Sequence, residues 1–212
     1  MDDIYRQQIL IDEAYDNNML EVFPYRHRNL FRLSFGDRTG KVYEPEIPLH
    51  RADGEDNTIA RVCFADTIEG CFRAMPECGA FINGMMCRRS VDSHILLYVH
   101  IPIFDEDFVH AAETGLVAYP NGRLVPDSHI TQEVWVMDNV RVECVAKIRA
   151  WYDIAGWPDF GSVEDLPVGL ELVECNPNDR EWILDALQEH PAYVEDNILS
   201  YINKQTHTDC RW

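Results

Sequence analysis

HILLYVHIPIF, residues His94 to Phe104, is the strongest strand signal in the chain. Its almost continuous apolarity predicts a strand covered on both faces, in a central position in a sheet. Interrupted by His100 and Pro102, it falls far short of the roughly 20 apolar residues that span a bilayer. His100 within such a run reads as a hydrogen-bonded core histidine before it reads as a general base.

Outward from this strand the pattern alternates between sheet and helix. On the C-terminal side, residues 105–130 are rich in turn residues, with Tyr119-Pro120-Asn121-Gly122 the clearest turn. Gln132 to Met137 and Val140 to Ile148 then predict two strands joined as a hairpin at Asp138-Asn139. In the second, Val140, Val142, Cys144, Ala146 and Ile148 alternate with Arg141, Glu143, Val145 and Lys147, which predicts one buried face. Val168, Leu170 and Leu172 mark a further strand. Asn178 and Glu181 have the spacing of a cap for a helix that turns Trp182, Ile183, Ala186 and Leu187 inward. Pro191 suits the first turn of another helix, with Val194, Ile198, Tyr201 and Ile202 on one face.

On the N-terminal side, Gly79, Gly84, Met85 and Met86 lie in a less regular stretch. A helix is expected from about Thr67 to Met75, opened by a capping box at Asp66 and Glu69, after a strand at Ile59–Ala65. A polar loop around Ala52 to Asn57 separates that strand from Leu30–Phe35, where Arg32 and Ser34 share one face. Residues 2–20 predict a first helix. The fold expected is α+β: a single mixed, mostly antiparallel sheet domain with flanking helices. Residues 1–150 form its core, and an acidic extension, 151–212, brings a strand and two helices packed on the same domain.

Charge is the second signal. The 212 residues carry 37 acids and 18 bases, a formal charge of -19. Thirteen acids against three bases fall in residues 151–212, so that segment holds -10 of the total. Such a surface repels nucleic acid and anionic membranes and attracts a basic protein partner. Against it stands a basic island from Pro24 to Tyr43, with Arg26, Arg28, Arg32, Arg38 and Lys41 opposed only by Asp37. An island of that kind has an anion to hold, from a ligand or from the protein's own acids. Met1-Asp2-Asp3 begins no export signal, and seven cysteines without a CxxC pair read as reduced thiols, so a cytoplasmic protein is expected.

Three short motifs carry a family likeness. Arg32 lies in LFRLS, Ala65-Asp66-Thr67 closes RVCFADT before a helix, and Thr131-Gln132-Glu133 opens HITQEVWV. Their order over residues 30–148 resembles the mono-ADP-ribosyltransferase fold and its RES-like relatives. The resemblance implies that Arg32, with Ser34 beside it, binds NAD, that Thr67 stands near the family's small hydroxyl position, and that Glu133 is the catalytic carboxylate. The family's Ser-Thr-Ser is replaced here by Cys63-Phe64-Ala65 before Asp66-Thr67, and Gln132 is one residue, not two, before Glu133. The chemistry implied is cleavage of the nicotinamide–ribose bond. Its oxocarbenium-like transition state gains from a fixed carboxylate, while an arginine holds the diphosphate by charge-assisted hydrogen bonds.

Structural roles are open to the same residues: an ion pair for Arg32, a helix cap for Asp66, Thr67 and Glu69, and an edge charge for Glu133. Cys71, Cys78, Cys87 and His94 have zinc-ligand chemistry but no zinc-motif spacing, and Asp105, Glu106, Asp107 and His110 form an acidic turn that needs no metal. Asp127-Ser128-His129 are neighbours, which is not triad geometry. No P-loop, G-x-S-x-G or G-x-G-x-x-G occurs. The alternative function is an interaction protein, an acidic phage or mobile-element inhibitor. It shares its composition alone with anti-CRISPR proteins and other DNA mimics, and its carboxylates would occupy a basic nucleic-acid groove. Trp151, Trp157, Trp182 and Trp212 would anchor such an interface or fill a core.

Overall fold

The computed structural model of the chain describes residues 3–22, 30–49, 53–75, 94–103, 117–152 and 168–188. The protein is α+β, with helices and antiparallel strands in two sheets. The chain divides into two compact units, one of Met1–Arg32, Arg38–Ala74 and Ile101–Glu143, the other of Leu33–Asp37, Met75–His100 and Cys144–Trp212.

The first unit opens with α1 (Asp3–Asp16), which turns Ile11 and Ala14 into the core. The helix stops short of the expected residue 20 because Asn18 takes a left-handed backbone, φ 52, a conformation asparagine tolerates better than most residues. The Met19 amide then donates to the Ala14 carbonyl at 2.8 Å, satisfying one of the helix's terminal acceptors. The chain continues into β1 (Leu20–Val22). The unit's sheet has β1 beside β6 (Val117–Pro120), then β7 (Glu133–Val136), then β4 (Val62–Ala65), all antiparallel.

Period-two alternation gives this sheet two buried faces. Trp135 and Ala118 meet Ile11, Ala14 and Leu20 on one side; Val62, Phe64, Val134 and Val136 meet Leu30, Val140 and Val142 on the other. Each aliphatic side chain so covered contributes about 1.5–3 kcal/mol. The hairpin expected at Asp138-Asn139 is not formed. β7 has β4 and β6 as its neighbours, and the turn carries the chain into β8 (Val140–Tyr152), a strand of the other sheet. The reason is in the side chains: Val134 and Val136 pack on Val140 and Val142 in one cluster, so the two segments meet face to face and not edge to edge. At its start β8 pairs with β3 (Val42–Tyr43), Val42 opposite Arg141.

In the other sheet, β5 (His94–Ile103) lies between β2 (Arg32–Ser34) and β8, the central position its apolarity predicts. β9 (Val168–Cys175) pairs antiparallel with β8, with a register shift at Lys147/Ile148. Gly169 opposes Trp151 in that pairing, and any Cβ at Gly169 would collide with the indole. Trp151 is buried, so it is core and not an exposed interface anchor. α4 (Arg180–Gln188) follows, with Ile183 and Leu187 buried. It is opened by the Asp179 carbonyl, which accepts from the Ile183 amide, and by the Asp179 carboxylate, which accepts from the Trp182 indole at 3.2 Å.

The helix expected from Pro191, the turn Asp105–Asp107 with His110, and Cys78, Cys87, Trp157 and Trp212 lie outside the described residues, as does most of the acidic extension. Among the described residues no helix is long and apolar enough to cross a membrane.

Candidate functional site

β4 brings the three sequence motifs side by side. Phe31 pairs with Ala65 through two backbone hydrogen bonds of 2.8 and 2.9 Å, and on the opposite edge Ala65 pairs with Glu133 of β7. Phe31, Ala65 and Glu133 therefore stand abreast across adjoining segments, with Arg32, Asp66 and Gln132 one residue away. The junction after β4 is tied to the start of β7 by side chains as well. The Thr67 hydroxyl donates to the Gln132 side-chain carbonyl and accepts from the Gly70 amide at 2.9 Å. Thr67, not Asp66, thus caps α2 (Ile68–Ala74). Asp66 instead accepts from the Tyr119 hydroxyl at 2.8 Å. Glu69 is engaged four residues on, accepting from Arg73 at 2.6 and 2.9 Å.

Gln132 closes α3 (Ser128–Thr131) in a left-handed conformation, φ 50. This turn of helix holds Ser128 and His129 in consecutive backbone positions. Gln132 also gives its carbonyl to the Asp66 amide at 3.2 Å. The strained residue is therefore held from both sides, by backbone and side chain.

Glu133 is 8 % exposed. Its carboxylate accepts from the Trp135 indole at 2.7 Å and from the Cys63 thiol. Burial pushes its pKa up from the ordinary 4.5; the Trp135 and Cys63 hydrogen bonds pull it back in part, Glu55 adds to the rise and Arg61 opposes it. The Cys63 thiol is held well above 9.0, chiefly by burial and then by the Glu133 charge, so it remains a thiol and a donor. Arg61 lies next along the same face by alternation. It is fully buried, 4.0 Å over the Trp135 ring, and its guanidinium pairs with Glu55 at 2.5 Å and Asp56 at 3.3 Å.

Arg32 reaches β4 from the other face. Its Nη1 donates to the Cys63 carbonyl at 2.6 Å, and its guanidinium lies 4.6 Å over Tyr43, which packs on the Val62 and Phe64 cluster. Lys41 stacks on the same ring at 4.1 Å. Arg32, Lys41 and Tyr43 form a half-open cationic and aromatic ledge. Cys63 links the two ends: its carbonyl meets Arg32, its thiol Glu133. Ser34 belongs to the second unit, where its hydroxyl donates to the Gly36 carbonyl at 2.5 Å.

Arg26 and Arg28 of the basic island are outside the described residues. Arg61 and Trp135 were not singled out from sequence, and Cys63 and Tyr119 were read only as a replacement in the family's strand motif and as part of a turn. Their signal was available in period two, since Arg61 and Cys63 share a strand face, as do Glu133 and Trp135. Compared with protein-family models, with curated proteins and with solved structures, the chain matches none.

Proposed function

We propose that the protein is an ADP-ribosyltransferase-like enzyme that binds NAD and cleaves its nicotinamide–ribose bond, passing ADP-ribose to water or to an acceptor. What supports the reading is the lateral register of Phe31, Ala65 and Glu133, which aligns three distant motifs on β4, Arg32 reaching that strand from one face and Glu133 lying on the other. Arg32 and Lys41, side by side over Tyr43, hold the diphosphate. Thr67 acts through Gln132, fixing the backbone that leads into Glu133. The ionised Glu133 stabilises positive charge at the ribose C1′ as the C1′–N bond breaks and its electron pair leaves with nicotinamide. The incoming nucleophile forms the new bond at C1′ and gives up its proton to solvent.

The test is titration of NAD into wild type, Arg32→Ala and Glu133→Gln, followed by assay of released nicotinamide. Arg32→Ala loses binding. Glu133→Gln binds NAD and loses turnover by about 100-fold or more, the scale of one transition-state electrostatic contact. Because only the ionised Glu133 works and its pKa is raised, wild-type turnover climbs with pH above the ordinary carboxylate range. A folded wild type that binds no NAD overturns the reading.

A further inference from the structure

In the second unit, three consecutive sheet neighbours each bring a different metal-binding atom to one place. Asp37 follows β2, His100 is in β5 and Cys144 is in β8, and their carboxylate, imidazole and thiol ligand atoms all lie within 4.8 Å of one another. We infer that Asp37, His100 and Cys144 form a binding site for a borderline-soft divalent cation, of which zinc is the type. This site is separate in residues and chemistry from the one assigned to NAD.

The geometry is near what such an ion requires. His100 Nε2 stands 3.8 Å from Asp37 Oδ1. Tetrahedral zinc with bonds of about 2.0–2.3 Å holds its ligand atoms about 3.4–3.6 Å apart, so closure shortens the widest separation by up to about 1.4 Å. The donor set excludes magnesium and calcium, which take oxygen, and favours zinc through its thiolate and imidazole. Charge balances too: a divalent ion with one carboxylate and one thiolate is neutral, which suits an imidazole only 1 % exposed. Binding releases one proton, that of the Cys144 thiol.

The surroundings hold the ligands at different stiffness. His100 is buried inside the sheet, while the Asp37 side chain is 57 % exposed. The Ser34 hydroxyl bonded to the Gly36 carbonyl shapes the turn that carries Asp37, which gives Ser34 a positioning role. Three protein ligands with an exposed carboxylate side leave the fourth position to water, the arrangement of a reactive and not a closed structural zinc site.

Zinc, and cobalt as its coloured substitute, are titrated into the reduced full-length chain, with proton release measured alongside. The expected result is one tight equivalent, one proton released, and a thiolate-to-cobalt absorption band. Cys144→Ser abolishes that band, Asp37→Asn weakens binding roughly 10-fold or more, and Cys175→Ser leaves both unchanged. Asp37→Asn and Cys144→Ser are mild changes, at an exposed and a half-buried position, so folding is checked by circular dichroism without risking the buried His100. A folded wild type that takes up no cobalt overturns the site, and so does a thiolate band that survives in Cys144→Ser.

Discussion

Arg61 is buried with its charge answered on three sides: by Glu55, by Asp56 and by the face of Trp135. Removing one member of such a group strands the others, at a cost of about 3–5 kcal/mol. Arg61→Met therefore lowers the unfolding free energy in urea by that order, and a loss under about 1 kcal/mol would mean the carboxylates find water instead. Glu133 makes the opposite prediction. Below its ordinary pKa both folded and unfolded chains carry the proton, and the folded state is at no disadvantage. As pH rises, the unfolded chain ionises first while burial keeps the folded carboxyl protonated, so stability falls until the raised folded pKa is passed. Glu133→Gln removes that loss, and its stability relative to wild type improves between pH 4 and pH 7. Urea unfolding at both pH values checks the sign. Cys63, held as a thiol, reacts more slowly with iodoacetamide at pH 8 than it does in the unfolded chain, as peptide mapping of alkylated protein would read out.

At the scale of elements, α2 is fitted to α3 through a glycine. A Cβ at Gly70 would strike the Thr131 carbonyl and stand 2.9 Å from the Thr67 hydroxyl that caps the helix. Both are fixed groups, one backbone and one already hydrogen-bonded, so neither gives way cheaply. Gly70→Ala should destabilise by about 1–3 kcal/mol, the usual range for overpacking, although alanine favours an isolated helix by up to about 1 kcal/mol. An unchanged melting temperature would show that α2 slides without cost. The contrast explains what could be read from the sequence. β5, β8 and β9 were legible because burial writes its period directly into the residues. The capping signal at Asp66 and Glu69 was misleading, since Thr67 offers a nearer oxygen and Tyr119, 53 residues away, claims Asp66. The Asp138-Asn139 turn was visible as a turn, but whether it joins paired strands or two sheets depends on what Val140 and Val142 pack against. Likewise the three motifs were legible one by one, while their alignment on Ala65 and the Cys63 link between Arg32 and Glu133 are long-range contacts.

For the whole molecule the governing quantity is a charge of -19. Self-repulsion among so many carboxylates opposes compactness, and it grows with pH as they ionise. Its range is set by salt, about 30 Å at 0.01 M and about 10 Å at 0.1 M, so added sodium chloride should raise the urea midpoint at neutral pH. The direction distinguishes repulsion from pairing: a fold held mainly by exposed ion pairs would lose stability with the same salt. Both this repulsion and the Glu133 effect make the protein less stable as pH rises, but they differ in depth. The surface charges sit in water and are screened; Glu133 is largely buried beside Trp135 and Cys63, where salt screens it much less. At high salt the surface contribution should fade and leave a residual fall in stability with pH. That residual should be smaller in Glu133→Gln than in wild type when both are unfolded in urea across pH 4 to 8. Equal slopes in the two proteins at high salt would place the pH dependence elsewhere in the chain and remove Glu133 as its source.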